Sequence, residues 1–378
     1  MNSSYDFVLA GAGAAGLSLA VHLIQSGKFR DKQILLIDRD DKKKNDRTWC
    51  FWEEEPGPFE EVVSHRWKQA WFHGQDESKK LGLDPFTYKL IRGLDFYQYC
   101  FSLLKNAGNV EFVRGEIEDL RPGEGHATCR VGEKHIKGTY IFSSMYEKPI
   151  IGKGEHYLLQ HFLGWRLRTS TPVFDPAEPV LMDFRVSQDQ GTSFVYVLPF
   201  SPFEALVEYT MFSERVMDRN HYEEGLQRYM SENFPSAEYN IEEEEFGVIP
   251  MTDHKFPPGN GNIVYIGTAA GQTKASTGYT FSFIQKHSRA IVECLAGEGH
   301  PSNVNRSAAR FAFYDRTFLE VLERKKLAGH RVFERLFMKN PPARILRFLN
   351  NESAFSEELS LLASLPTIPF LKAALKIK

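Results

Sequence analysis

The hydrophobic pattern changes period twice before residue 40. Residues 5–10, Tyr-Asp-Phe-Val-Leu-Ala, form a short apolar run that breaks at Gly11-Ala-Gly-Ala-Ala-Gly16; Leu17, Leu19, Ala20, Leu23 and Ile24 then recur at helical spacing, and a second apolar run, 34–37, ends on Asp38. Strand, turn, helix and strand in that order predict a βαβ unit. Its glycines have separate physical jobs: Gly11 permits the tight turn, Gly13 lets backbone amides approach a pyrophosphate, and Gly16 lets the helix close on the sheet. Ala14 and Ala15 open a helix whose N-terminus faces the phosphates. Asp38, followed by Arg39, lies 22 positions after Gly16, where an acceptor for a ribose hydroxyl belongs. An acid there repels a 2′-phosphate, so the expected ligand is an FAD- or NAD-type nucleotide rather than NADP.

Beyond a charged stretch, 39–47, Thr48-Trp-Cys-Phe-Trp52 reads as a buried aromatic strand, and strands are expected again around 67–72. Arg92, just ahead of a helix over 95–106, is placed to grip a diphosphate with its forked guanidinium or, equally well, to make a surface ion pair. Strands over 110–114 and 127–131 bracket a turn-rich 121–125, and 140–145 returns to the nucleotide sheet. From about 151 to 249 strand-type alternation prevails, at 161–168, 180–186, 193–199 and 205–212; a helix over 220–233 and the acidic run 242–245, read as a solvated edge, complete this part. Alternation puts Leu206, Glu208 and Thr210 on one strand face and Val207 and Tyr209 on the other. Apolar neighbours would lift the Glu208 pKa above the usual ~4.3, which suits a general acid; an inward glutamate is also a common ion-pair member.

Residues 262–267 then form a short apolar strand, and a small-residue loop follows that holds Gly267, Gly271, Thr277, Gly278 and Tyr279 before a helix over 280–295. A late strand, glycine-rich loop and helix, in a chain that opens with Gly-x-Gly-x-x-Gly, is how two-dinucleotide flavoproteins close over the flavin ring. The helix N-terminus at Gly278-Tyr279 would favour an anionic reduced ring. From 302 the chain is amphipathic and helical, with Phe311, Phe313, Tyr314, Phe318, Leu319 and Leu322, and its basic, apolar end either rests on an anionic bilayer or docks on the protein itself. The expected fold is α/β. A Rossmann-type FAD-binding domain of the two-dinucleotide flavoprotein kind (1–50, 85–150 and 255–300) carries an inserted, mainly β substrate domain (51–84 and 151–254) and a helical C-terminal region (301–378).

Composition changes this picture little. At 378 residues, 42% hydrophobic and 25% charged, the chain can bury a large core, and a net charge of -3 argues against a nucleic-acid partner. Four scattered cysteines, Cys50, Cys100, Cys129 and Cys294, suggest neither a disulfide framework nor a metal site, and fit a reducing cytosol. The first strand begins too early for a signal or transit peptide ahead of it, and no apolar run approaches the ~20 residues of a membrane span. Thirty Phe and 13% aromatic residues overall fit an aromatic-lined cavity as well as a thick aromatic core.

Several segments together resemble the FAD-dependent lycopene cyclases of carotenoid-producing bacteria and plants, over nearly the whole chain. They are the opening fingerprint, Thr48 to Trp52, Gln160-His-Phe-Leu-Gly-Trp165, Leu181-Met-Asp-Phe-Arg185, Leu206-Val-Glu-Tyr-Thr210, Gly247-Val-Ile-Pro-Met251 and Ser276-Thr-Gly-Tyr279. Met182-Asp-Phe184 and Thr277-Gly-Tyr279 discriminate best against flavin monooxygenases. The resemblance implies Glu208 as the catalytic acid, first of a Phe-x-Glu-Glu-Thr-like motif whose second acid is Tyr209 here; Ala275 stands where the family usually has proline. It further implies reduced FAD as the active cofactor, NADPH or another reductant to reduce it, and lycopene and related acyclic carotenoids as substrates. The ψ ends would be cyclised to β-rings without net redox change, by way of gamma-carotene to beta-carotene, in a cytoplasmic protein peripheral to the membrane. A monooxygenase or isoprenoid reductase of the same fold, and a non-catalytic carotenoid carrier, are the alternatives.

Overall fold

The computed structural model describes residues 3–304, 308–324 and 327–375. The first apolar run forms the strand Ser4–Ala10, which pairs in parallel with Ile34–Asp38 on one side and Lys134–Ser143 on the other. Val110–Arg114 extends this sheet beyond Ile34–Asp38, and Ile263–Tyr265 extends it beyond Lys134–Ser143. Parallel neighbours need crossover elements, and the helices Ala14–Gln25 and Gly93–Ala107 fill that need. With the late helix Phe281–Ala296 they bury Leu17, Leu36, Phe96, Phe142 and Ile291 against one face of the sheet. Val8, Leu35 and Ile141 on the other face pack with Ala127 and Cys129 of a hairpin built from Ile117–Gly123 and His126–Val131. The turn-rich 121–125 is the tip of that hairpin: the strand runs on to Gly123, and only Glu124 and Gly125 turn.

A second, seven-stranded sheet runs Tyr239–Thr252, Tyr157–Thr169, Glu204–Ser213, Thr192–Ser201, Val180–Asp183, Gln69–His73 and Ser78–Gly82. Both its faces are apolar, and each has its own cover. Val195, Val207 and Tyr209 pack against Leu226 and Tyr222 of the helix Arg219–Asn233. Phe72, Phe184 and Phe194 on the opposite face meet Phe333, Phe337 and Leu349 from the C-terminal helices. Those helices are Ala309–Glu323, Gly329–Lys339, Pro342–Leu349, Phe355–Ser364 and Thr367–Ala374.

A three-stranded sheet, Thr48–Glu53 and His65–Trp67 flanking Thr87–Arg92, sits between the two and takes strands from both sides of the expected boundary at 84 and 85. Its period of two sends adjacent side chains to different cores: Phe51 packs with the nucleotide-sheet cluster and Trp52 with the C-terminal one. Lys274 makes a second tie. Its side chain is wholly buried, paired with Asp315 at 2.7 Å and with the Asn351 Oδ1 at 2.7 Å, between the rings of Phe311 and Phe348. A buried ammonium left unpaired would cost several kcal/mol, so the 268–279 loop is bound to the C-terminal helices.

Candidate active site

The turn after the first strand does what the glycine pattern requires. Gly11 takes a φ of +113°, and a Cβ on Gly16 would stand 1.9 Å from the Gly11 carbonyl oxygen, which is how closely the helix lies on the turn. A Cβ on Gly13 would meet nothing within 4 Å, so the backbone there is open to a ligand. Asp38 receives the Ala12 N–H at 2.7 Å and pairs with Lys42 at 3.3 Å. The late loop closes over the same turn: Gly267, with φ +61°, leaves no space for a side chain, since a Cβ there would come within 2.7 Å of the Ala15 Cβ.

Between these pieces lies a cavity of about 510 Å³. Gly13, Ala14, Ala15, Gly267, Thr277, Gly278, Tyr279 and Glu208 all line it. The helices starting at Ala14 and Phe281 both present their N-termini to it, and neither has a side-chain cap. Free N–H groups at two converging helix ends favour an anionic or strongly polar ligand. Two buried side-chain atoms in the wall, Gln160 Oε1 and Thr277 Oγ1, have no hydrogen-bond partner among the described residues, as expected of atoms that meet a bound polar molecule. A dinucleotide with its flavin ring fits this donor set.

The other expected contacts lie elsewhere. Arg92 makes the ion pair instead of pointing into the cavity, reaching both oxygens of Glu243 at 2.9 and 3.1 Å, and Arg166 joins the same carboxylate at 2.6 Å. Gly271 is exposed and ends a short turn with φ +71°, and Arg39 is exposed, with its carbonyl receiving the Arg114 Nε–H at 3.2 Å.

Opposite the nucleotide end, the floor of the cavity is a row of directly paired residues across four strands of the seven-stranded sheet: Glu245, Gly164, Glu208 and Tyr196. Directly opposed residues share a sheet face, so both carboxyl groups point into the cavity. Glu208 faces it with Leu206, as alternation requires, and accepts the hydroxyl of Thr210, on the same strand face, at 2.8 Å. Burial, then the neighbouring charge of Glu245, pushes its pKa up to about 8 against the opposing Thr210 bond, so the group is protonated at neutral pH. Cys50, Tyr88, Tyr196 and Tyr279 around it are also held neutral, chiefly by burial, and the Tyr196 and Tyr279 hydroxyls pair with each other. Trp52 stands edge-on to Tyr279 with ring centroids 4.6 Å apart.

Glu245 is the residue the sequence pattern missed. It belongs to the run expected as a solvated edge, yet it is only 8% exposed and accepts the Thr48 N–H at 2.8 Å. Glu242 and Glu244 do face solvent and Glu243 is half-exposed, whereas Glu245 turns inward. A bulge places Glu242 between the pairs Arg166↔Glu243 and Leu167↔Ile241 and so sets that phase.

A second, almost wholly apolar cavity of about 280 Å³ lies among the C-terminal helices, walled by Phe318, Phe333, Leu336, Phe370 and Leu371. Thr277 lines both cavities. Away from them, His156 spans Asp253 at 3.1 Å and Glu320 at 3.0 Å, clasping the end of the edge strand to the helix Ala309–Glu323.

A family model described as lycopene cyclase protein matches residues 6–375. The chain belongs to the lycopene cyclase family. The lycopene beta-cyclase of Pantoea ananas is 24% identical over 409 residues, covering 99% of this chain and 98% of the relative. That of Pseudescherichia vulneris is 24% identical, covering 97% and 96%. Among solved structures, a flavoprotein/dehydrogenase from Cytophaga hutchinsonii superposes with a TM-score of 0.65 at 12% identity, covering 99% of this family member and 98% of that chain. A geranylgeranyl bacteriochlorophyll reductase-like protein from Thermoplasma acidophilum gives 0.61 at 14%, over the whole of both chains. These two show the fold, an α/β flavoprotein architecture.

Proposed function

We propose that this family member is a lycopene beta-cyclase that holds FAD between its two uncapped helix N-termini and protonates the polyene with Glu208. The observation that carries the reading is a carboxylic acid kept neutral up to about pH 8 in the same cavity as a dinucleotide-type turn. Lycopene has no hydrogen-bonding group, so its binding rests on buried apolar area, roughly 25 cal/mol per Å², and aromatic and apolar walls suit it. Glu208 gives its proton to C2 of a ψ end group; a cation forms at C1, the C5=C6 bond closes on it, and loss of the C6 proton leaves a β-ring. Aromatic side chains such as Trp49 and Tyr279 offer the cation their ring faces. Bound FAD in its reduced, anionic form would supply negative charge toward that cation. Gly13–Ala15 would hold its pyrophosphate, Asp38 its ribose, and Gly267 and Thr277–Tyr279 the flavin end. Because the cyclisation is redox-neutral, NADPH or another reductant is needed only to bring the flavin to its active state.

The substrate dissolves in membranes, and the C-terminal helices supply a surface for one. Among the described residues no helix is long and apolar enough to cross a bilayer. Ile368, Leu371 and Leu375 are 68%, 56% and 75% exposed, and Leu371 also walls the apolar cavity that meets the main one at Thr277. This placement supports a reading in which this end rests peripherally on the cytoplasmic membrane and lycopene enters through that cavity.

The test is anaerobic incubation of FAD-loaded protein, reduced with dithionite, with lycopene in liposomes and no nicotinamide cofactor. Monocyclic and bicyclic β-ring products support the reading. Turnover only under sustained NAD(P)H oxidation would replace it with a redox flavoenzyme of the same fold.

A further inference from the structure

The cyclisation needs a base as well as an acid, and the second acid of the Glu208 motif is absent. Tyr209 occupies that place, and its side chain is buried on the opposite sheet face, among Val207, Tyr222 and Leu226. The cavity nevertheless holds two carboxyl groups, because the edge strand contributes Glu245 to the row that contains Glu208. The residue between them is Gly164, and a Cβ there would stand 3.1 Å from Leu206 Cδ1 and 3.6 Å from Glu208 Cγ. With no side chain at that position, the Leu206 side chain and the Glu208 stem lean over the middle strand, and both acids line one cavity.

We propose that Glu245 is the base of the reaction, taking the proton that leaves C6 and forming an acid–base pair with Glu208. This rests on the cyclase reading above. The surroundings of the two groups assign the roles. Among the described residues Glu208 has a single hydroxyl donor, Thr210, while Glu245 receives the backbone N–H of Thr48 and lies near Arg47, whose charge Asp46 partly offsets. Burial raises the pKa of both, but at Glu245 the Thr48 bonds and the Arg47 charge oppose that rise, whereas at Glu208 the Thr210 bond alone does and the charge of Glu245 adds to it. When two interacting carboxyl groups share one site, the group with donors to its charged form ionises first and the other keeps the proton. Gln160 Oε1 and Thr277 Oγ1, buried without partners in the same wall, mark this region as one that receives a ligand.

The step balances without an oxidant. The Glu208 O–H bond breaks as the C2–H bond forms; the C5=C6 electrons make the C1–C6 bond and leave the cation at C5. The C6–H electrons then form the ring double bond, and the proton bonds to the Glu245 carboxylate. Glu208 ends ionised and Glu245 protonated, and proton exchange with solvent resets the pair.

The experiment compares FAD-loaded, dithionite-reduced wild type, Glu245→Gln, Glu245→Asp and Gly164→Val acting on lycopene in liposomes, with ring isomers separated by chromatography. Flavin absorbance and thermal melting report loading and folding of each variant. Without its base the C5 cation loses a proton from another carbon, or a cation is captured by water. Glu245→Gln is therefore expected to slow β-ring formation by about 100-fold, in the range lost with a general base, and to divert product to ε-ring, γ-ring or hydrated forms. Glu245→Asp should restore the β-ring as main product, and Gly164→Val, which keeps both acids but puts bulk between them, should shift the ratio as Glu245→Gln does. A wild-type rate and product ratio in Glu245→Gln overturns the proposal. So does a uniform slowing with unchanged ring ratio that Glu245→Asp does not relieve. Absence of any cyclic product from wild type would overturn the cyclase reading instead.

Discussion

Replacing Glu208 by Gln should abolish cyclisation and, at the same time, stabilise the protein by an amount that grows with pH. The carboxyl, ordinarily near 4.5, is raised to about 8 by burial and then by the charge of Glu245. Between those two values the native state keeps the proton while the unfolded chain releases it. The native state therefore binds more protons, and wild-type stability falls as pH rises through this window. At about 1.4 kcal/mol per unit, the ceiling on that loss from pH 5 to pH 7.5 is about 3.4 kcal/mol, and access of solvent to the cavity reduces it to about 2 kcal/mol. A glutamine has no such slope. Urea unfolding of both proteins at pH 5 and pH 7.5 should show the variant gaining about 2 kcal/mol on wild type between the two conditions, while its product formation is lost at both. Wild-type activity should decline above about pH 8, as the acid ionises. A stability difference that is the same at both pH values would refute the claim that the fold holds Glu208 neutral. Retained cyclisation at full flavin loading would refute its role as the acid.

The two glycines of the opening turn should fail differently. Gly13→Ala, whose Cβ meets nothing, is expected to melt like wild type but to bind FAD at least ~10-fold more weakly by fluorescence titration; Gly16→Ala, with its Cβ 1.9 Å from a backbone oxygen, should lose about 2–4 kcal/mol of stability. Arg92→Ala should leave flavin affinity within about twofold and cost no more than about 1 kcal/mol, because its partner is the half-exposed Glu243; a tenfold loss of flavin affinity would reinstate the diphosphate contact. Ile368→Ser with Leu375→Ser, both exposed and outside the cavity wall, should lower co-sedimentation with anionic liposomes by about tenfold while leaving turnover of detergent-dispersed lycopene unchanged, and an unaltered partition would remove these helices from the membrane contact.

Features whose causes are local in the chain were legible before any coordinates. The Gly11 to Gly16 turn and the face taken by Glu208 follow from steric demands and a period of two that act over a few residues. Arg92 shows where such reading stops: the diphosphate and the ion pair were both open, and the choice rests on Glu243, 151 positions away. Glu245 was hidden for a different reason. Four identical residues in succession carry no alternation, so nothing in residues 242–245 tells which of them turn inward. Gly271 shares a small-residue loop with the cavity residues Gly267 and Gly278, and its φ of +71° places it at the end of the backbone turn.

The bulge at Glu242 divides the edge strand into two parts that answer to different constraints. Residues 243–252 pair in uninterrupted register with the next strand, so the identity of the inward acid depends on counting from the bulge toward Thr252. A deletion within 246–251 that left the far end anchored would bring the outward Glu244 to the place of Glu245. The preceding part, 239–241, is already out of phase, so changes of length there can be taken up by the loop from the helix Arg219–Asn233. Lineages of this fold are thus free to vary the length of that loop, and an engineer can insert a tag or linker there, without altering which carboxyl groups flank Gly164 in the cavity.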